Sequence, residues 1–251
     1  MSSDAVVEDL KISPLPLADA AAHICRNAGS VAALNVFTLN LDHVVKMRKD
    51  AKFRGAYKRA GLITADGFPI VLACSLQGKQ VSRVAGSDLI APIVAEAARS
   101  GKSIYLFGSS SQVLNKTSRI LQTRNTGLKI AGVFAPPHGF DPVSEDARRC
   151  IDAIGNSGAD LCFVALGAPK QELFADYAKG ILPNVSFVCI GAGLDFIAGA
   201  QVRAPHWMQR WNLEWLWRAA GNPRRLLYRY MLCMVALPGI LVRAVLVPRQ
   251  Q

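Results

Sequence analysis

Asp66 stands where an apolar run, Leu62-Ile-Thr64-Ala, gives way to Gly67. A carboxylate at the end of a strand, just before the chain turns into a helix, can serve as a general base for a hydroxyl nucleophile. The same placement suits a helix N-cap. Thr38 and Asn40 flank the end of another apolar run and could hydrogen-bond a sugar, although Asn40 or Asp42 could equally cap a helix starting near His43. Arg83 and Asp88 lie around a helix start, where an arginine gathers phosphate, unless the two simply pair with each other. Gly108-Ser-Ser-Ser111 has the look of a weak phosphate cradle. Gly167-Ala-Pro169-Lys170-Gln171-Glu172 offers donors and acceptors at a helix start, and Asp195 follows Gly191-Ala-Gly193.

These residues are scattered in sequence, so elements must gather them. Apolar, β-branched runs alternate with helical patterns from Val31 to Ile190, the signature of an α/β fold built on a parallel sheet. Strands are expected at 33–37, 62–64, 103–107, 128–133, 160–166 and 185–190, with helices near 17–28, 42–60, 67–77, 88–100, 111–123, 143–157 and 170–180. Ser87 or Asp88 can cap the fourth helix and Gly101 can end it. In open sheets of this kind ligands bind beyond the carboxyl ends of the strands, and every residue named above falls on that edge. The alternation stops near residue 196. Domains are therefore read as an α/β core over 1–199 and a helical appendage over 200–251.

The appendage has its own character. All four tryptophans fall between Trp207 and Trp217, and eight arginines from Arg203 onward face a single acid, Glu214. With a net charge of +11 over 251 residues, this asymmetry points to a local anionic surface. Met231–Val247 is apolar but short for a span and is interrupted by Pro238 and Arg243, so it reads as an interfacial or core-packed helix pair. Six cysteines lack metal or redox spacing, and the first residues do not read as a secretory signal. Reduced thiols and a cytoplasmic protein are expected. The four histidines form no ligand cluster, and the chain contains no D-x-D, so no metal and no cofactor are expected.

Thr38-Leu-Asn40, Thr64-Ala-Asp66-Gly67-x-Pro69, Arg83-x-x-Gly86-x-Asp88, Gly167-x-Pro169-x-Gln171-Glu172, Gly191-x-Gly193-x-Asp195 and Arg203-Ala-Pro205-x-Trp207 through Arg218 and Pro223-x-Arg225 occur in order. Together they resemble the WecG/TagA/CpsF family of glycosyltransferases over roughly residues 30–230. The resemblance implies a Rossmann-like core with a C-terminal helical appendage that meets the membrane. It implies an inverting, metal-independent transfer of a hexose from a UDP-sugar to a polyprenyl-diphosphate-linked sugar. The hexose would be N-acetylmannosamine, its uronic acid or glucose, and the site would be the cytoplasmic face of a bacterial inner membrane. By motif, Asp66 would be the base in a pocket lined by Thr38 and Asn40, and Arg83 and Gln171 would contact substrate. Asp195 would lie by the uracil, while Arg203, Arg218, Arg224 and Arg225 would face diphosphate or lipid head group.

Two other classes fit less well. A nucleic-acid-binding module would use the basic charge but leave the strand-edge residues idle, so no nucleic acid is expected as partner. A soluble epimerase or dehydrogenase would need a dinucleotide fingerprint after the first strand, where Phe37-Thr-Leu-Asn40 stands.

Overall fold

The computed structural model describes residues 4–205, 207–208, 214–221 and 223–246, the side chains of 218–221 and 223–228 excepted. A short hairpin, β1 (Ala5–Val7) and β2 (Leu10–Ile12), leads into α1 (Leu17–Asn27) and β3 (Asn35–Leu39). Then follow α2 (Leu41–Met47), α3 (Ala51–Lys58), β4 (Leu62–Ala65), α4 (Phe68–Leu76), α5 (Gly86–Ser100) and β5 (Ser103–Gly108). The core continues through α6 (Ser111–Arg124), β6 (Lys129–Phe134), α7 (Glu145–Asn156), β7 (Leu161–Ala165), α8 (Lys170–Ile181), β8 (Ser186–Cys189) and α9 (Gly193–Ala198). Two further helices, α10 (Glu214–Gly221) and α11 (Pro223–Leu246), end the described chain.

Six strands form one sheet in the order β4-β3-β8-β7-β5-β6, and every pairing is parallel. Helices cover both faces, which is why β3, β4, β7 and β8 are buried along their whole length. Alternate residues feed two cores. Phe37, Phe107, Cys162 and Phe187 pack with α3, α4, α7 and α8. Val36, Leu106, Phe163 and Val188 pack with α1, α5, α6 and α9 on the other face.

The expected strands are present within two residues at each end, apart from the β1–β2 hairpin, which was not anticipated. The single helix expected over 42–60 is two. Asp50 accepts a hydrogen bond from the Phe53 N–H at 3.0 Å and restarts the chain as α3; a side chain that caps locally competes with helix continuation. Helix α5 starts at Gly86 and is capped by neither Ser87 nor Asp88, whereas Gly101 ends it in the left-handed region at φ 72° as expected. Pro169 stands immediately before the first residue of α8.

The apolar tail is one continuous helix through Pro238, not a pair. Cys233, Ile240 and Ala244 are buried, the last two in the same core as the sheet, while Met231, Met234, Val235, Val242, Val245 and Leu246 are exposed. Residues 229–246 are long and apolar enough to cross a membrane by composition. Their buried stripe is nonetheless anchored: Arg229 meets Asp42 at 2.6 Å, and Arg243 meets Glu8 at 3.2 Å. Ile240 is 3% exposed and Val235 81%. Ile240→Ala should therefore cost about 2–5 kcal/mol in urea unfolding, whereas Val235→Ala should stay within about 0.5 kcal/mol of wild type. A neutral Ile240→Ala would mean that α11 is no part of the folded core.

Candidate active site

Parallel pairing puts the strand ends in a row. Leu39 is in register with Ala65, and the Asp66 N–H donates to the Leu39 carbonyl at 2.8 Å, so Asn40 and Asp66 leave the sheet side by side. Outside β4, Arg83 forms a parallel bridge with Ala65. On the other side Ile190 donates to Val164, and Gly108 is in register with Ala165. The edge thus carries, in order, Arg83, Asp66, Asn40, Gly191, Gly167 and Ser109. From β4 to β5 it crosses four strand spacings, about 19 Å in total.

Asp66 is half-buried, with Gly67 behind it at φ 98°. A left-handed glycine lets the chain turn sharply from strand to helix while the carboxylate stays on the edge. Thr38 is 5% exposed, and its carbonyl accepts from the Tyr57 hydroxyl at 2.8 Å and lies 2.9 Å from His43 Nδ1. Burial lowers the His43 pKa to about 4, so the ring is neutral at physiological pH. Burial, followed by the charges of Glu172, Asp66 and Asp42, pushes the Tyr57 hydroxyl up. Thr38, His43 and Tyr57 thus form a buried, uncharged group close enough to Asp66 for its charge to act on the Tyr57 hydroxyl. Asn40 has the capping role: its side-chain oxygen accepts from the His43 N–H at 3.0 Å. Its expected sugar contact would have to come from what the cap leaves over.

The arginines belong to a ladder of charges. Arg83 meets Asp88 at 3.3 Å, and Asp88 also receives Arg203 at 2.6 Å. Arg203 in turn reaches Glu214 at 3.4 Å and lies over the Phe196 ring, 5.9 Å from its centroid. The pairing of Arg83 with Asp88, weighed against a phosphate role, is what the structure contains. The ladder also brings Arg203, from beyond the sheet, to the same place. Arg218, Arg224 and Arg225 lie on α10 and α11, but their side chains fall outside the described residues.

At the far end, Gly108 has φ 105°, and a Cβ there would collide with the Ala165 backbone. Ser109 follows at φ 56°, a conformation that costs a non-glycine residue about 1 kcal/mol. Its hydroxyl donates to Asp195 at 2.8 Å, and Ser110 caps α6. The expected phosphate cradle is thus not open, because a carboxylate occupies its mouth and would repel an anion. Asp195 instead offers acceptor oxygens to a neutral donor group. Gly86 and Gly193 have a packing role. A Cβ on Gly86 would sit 2.6 Å from the Cys189 carbonyl at the end of β8, and one on Gly193 would run into Ile90 of α5, so glycine at 86 lets α5 start against β8 and glycine at 193 lets α9 start against α5.

Gln171 is 4% exposed; its Oε1 accepts from the Gly191 N–H at 3.1 Å, and its Nε2 donates to Glu172 at 2.8 Å. The expected substrate contact of Gln171 is therefore limited to its remaining N–H. Glu172, singled out only as part of a polar trio, is fully buried, and burial raises its pKa from 4.5 to about 7. Among the described residues no group of three His, Cys, Asp or Glu side chains is placed to hold a metal ion, and all six cysteines are free and buried.

The Glu172 shift has a sign that can be measured. Below about pH 4.5 the carboxyl is protonated both folded and unfolded. Between pH 4.5 and 7 the folded chain holds a proton that the unfolded chain has lost, so stability falls as pH rises, by about 3 kcal/mol in all. Glu172→Gln should remove that slope and be more stable than wild type at pH 8, as read by urea unfolding from pH 5 to 8. Parallel curves for the two proteins would contradict a proton held there.

The family profile of the glycosyl transferases WecG/TagA/CpsF matches residues 6–251. An N-acetylglucosaminyldiphosphoundecaprenol N-acetyl-beta-D-mannosaminyltransferase of Bacillus spizizenii is 30% identical over 191 residues, 76% of this chain and 72% of that protein. A protein of the same name from Bacillus subtilis is 29% identical over the same shares. The edge that gathers Asp66, Arg83, Gln171 and Asp195 is built from the residues of the resemblance, and the match runs through both the sheet and the tail: the chain belongs to the WecG/TagA/CpsF glycosyltransferase family.

Proposed function

We propose that this glycosyltransferase moves an N-acetylmannosaminyl group from a UDP-sugar to an N-acetylglucosaminyl-diphosphate-polyprenol, with inversion and without a metal, at the cytoplasmic face of a membrane. The family match across residues 6–251 carries the reading. The two relatives named for that acceptor and sugar support it. Asp66 takes the proton from the acceptor hydroxyl as that oxygen attacks the anomeric carbon, and the carbon–oxygen bond to UDP breaks on the opposite side. The leaving diphosphate is met by cations, with Arg83 and Arg203 hinged on Asp88 and Arg218, Arg224 and Arg225 supplied by the appendage over 200–251. Charge stabilisation of this kind does the work that a divalent ion does in other transferases.

The dimensions of the edge agree with this assignment of ends. Asp66 follows β4, and Asp195, on α9, is hydrogen-bonded to Ser109 beyond β5, four strand spacings or about 19 Å along the edge, room for an extended nucleoside diphosphate sugar with its hexose at Asp66 and its uracil at Asp195. Thr38 and Asn40 line the hexose end. The acceptor carries an apolar tail, and α11 exposes Met234, Val235, Val242 and Leu246, with Trp207 and Trp215 also exposed nearby in sequence. Tryptophans favour the membrane interface and arginines attract anionic lipid. The reading is tested by supplying purified protein with a panel of UDP-sugars and a short-chain N-acetylglucosaminyl-diphosphate lipid. UDP release and a new disaccharide-lipid are expected with UDP-N-acetylmannosamine, and turnover confined to a different sugar would replace the donor named here.

Asp66→Asn should fold as wild type does and lose about 10²–10⁴-fold in kcat, the scale of a general base. Near wild-type turnover in that variant would leave Asp66 as a helix-start residue only. Excess EDTA should leave UDP release unchanged. A loss restored by Mg²⁺ or Mn²⁺ would overturn the metal-free mechanism.

A further inference from the structure

Glu172 touches Gln171 but has no part of its own in the transfer described above. It is fully buried in the first turn of α8, its Oε1 accepting from Gln171 and its Oε2 without a hydrogen-bond partner. A carboxyl so placed costs stability, and an apolar residue would fill the space without that cost. What it supplies is direction. The two ends of a glutamine amide have the same shape and are told apart only by their partners. With any proton of the carboxyl on the unpartnered Oε2, Oε1 can only accept, so Gln171 presents its nitrogen there and its oxygen to the Gly191 N–H, 3.1 Å away. Turned over, the amide would set oxygen against the carboxyl and N–H against N–H.

Gly191 opens the turn into α9, and that helix places Asp195 against Ser109. We infer that Glu172 is a positioning residue: by fixing the sense of the Gln171 amide it holds the Gly191 turn, and through it Asp195, in the geometry that receives the nucleotide. The inference rests on the UDP-sugar reading above for its functional consequence. Oε1 accepts whether the carboxyl is ionised or protonated, so the lock itself does not depend on pH. Lys46 and Asp42 from α2, Tyr57 from α3 and Cys189 from β8 are the titratable groups in its field.

The test separates a lock from a filler. Glu172→Leu keeps the volume and removes the buried polar group, so it should be at least as stable as wild type at pH 8. It should nonetheless lose about tenfold in kcat/KM for UDP-sugar, chiefly through a raised donor KM, the scale of one misplaced hydrogen bond. Gln171→Ala should lose the same, and the double variant no more. Glu172→Gln, which can still accept from Gln171, should keep wild-type donor kinetics while losing the pH slope of stability. Amide hydrogen exchange over residues 190–195 should quicken in Glu172→Leu and not in Glu172→Gln. Additive losses, a Gln variant as impaired as Leu, or unchanged exchange in Glu172→Leu would overturn the inference. The exchange comparison needs no donor. A wild-type protein that turns over no UDP-sugar would therefore sink the proposed function, while exchange still decides the role of Glu172.

Discussion

Parallel strand pairing is the constraint from which the rest of this molecule follows. A parallel sheet needs a crossover between every pair of neighbouring strands, so all six strands leave the sheet at the same edge, and their following residues converge there whatever their separation in sequence. The backbone groups at that edge have lost their ladder partners and must find others. Side chains and turns take up this role: Asn40 on the His43 N–H, Gln171 on the Gly191 N–H, and Ser109 N–H on the Ala165 carbonyl. Residues that satisfy the edge and residues available to a ligand are thus neighbours, and often the same residue.

Close crossing of helices sharpens that edge. Gly86 lets α5 start against the end of β8, and Gly193 lets α9 start against α5, so Asp88 and Asp195 each lie in the first turn of a helix packed at this edge. Asp88 then gathers Arg83 from beside β4 and Arg203 from beyond α9. The result is a charge gradient along the edge. Cations cluster with Asp88 near Asp66, where a leaving diphosphate would need them, while the carboxylate of Asp195 closes the far end, where a neutral base would lie. Beneath the row are buried groups held uncharged or paired: neutral His43, protonated Tyr57, and Asp42 between Lys46 and Arg229. Low polarisability under an edge strengthens the electrostatics above it.

Much of this was legible before any coordinates. Alternating buried strands announce themselves as apolar β-branched runs, and strand-end polar residues such as Asp66, Thr38 and Asp195 are visible because they break those runs. Signals that depend on distance in space were not. The β1–β2 hairpin has only three residues per strand, too few to establish a period of two. Asp50 restarts a helix by a single capping bond that a helical pattern over 42–60 conceals. Gly86 and Gly193 carry no local sign of their packing role, which only the close approach of the Cys189 carbonyl and of Ile90 reveals. Glu172 was noticed for its type but given no role, since its meaning comes through Gln171 from Gly191, twenty residues after that glutamine.

Helix α11 shows how orientation can be built into a fold that would meet a membrane. Its buried stripe, Cys233, Ile240 and Ala244, and its two ion pairs, Arg229 with Asp42 and Arg243 with Glu8, tie it to α2 and to the hairpin on one side of the sheet. A helix held by one face cannot rotate about its own axis, so the exposed stripe points in one direction relative to the strand edge. Asp42 also lies in the helix that Asn40 caps, one turn from the Asp66 pocket. If the exposed stripe enters the interface, as the proposed function requires, the depth and tilt of the whole sheet are set by that contact. The distance from the acyl region to Asp66 then becomes a property of the fold. That is the geometry a transferase needs when its acceptor is a diphosphate tethered at a fixed height above hydrocarbon.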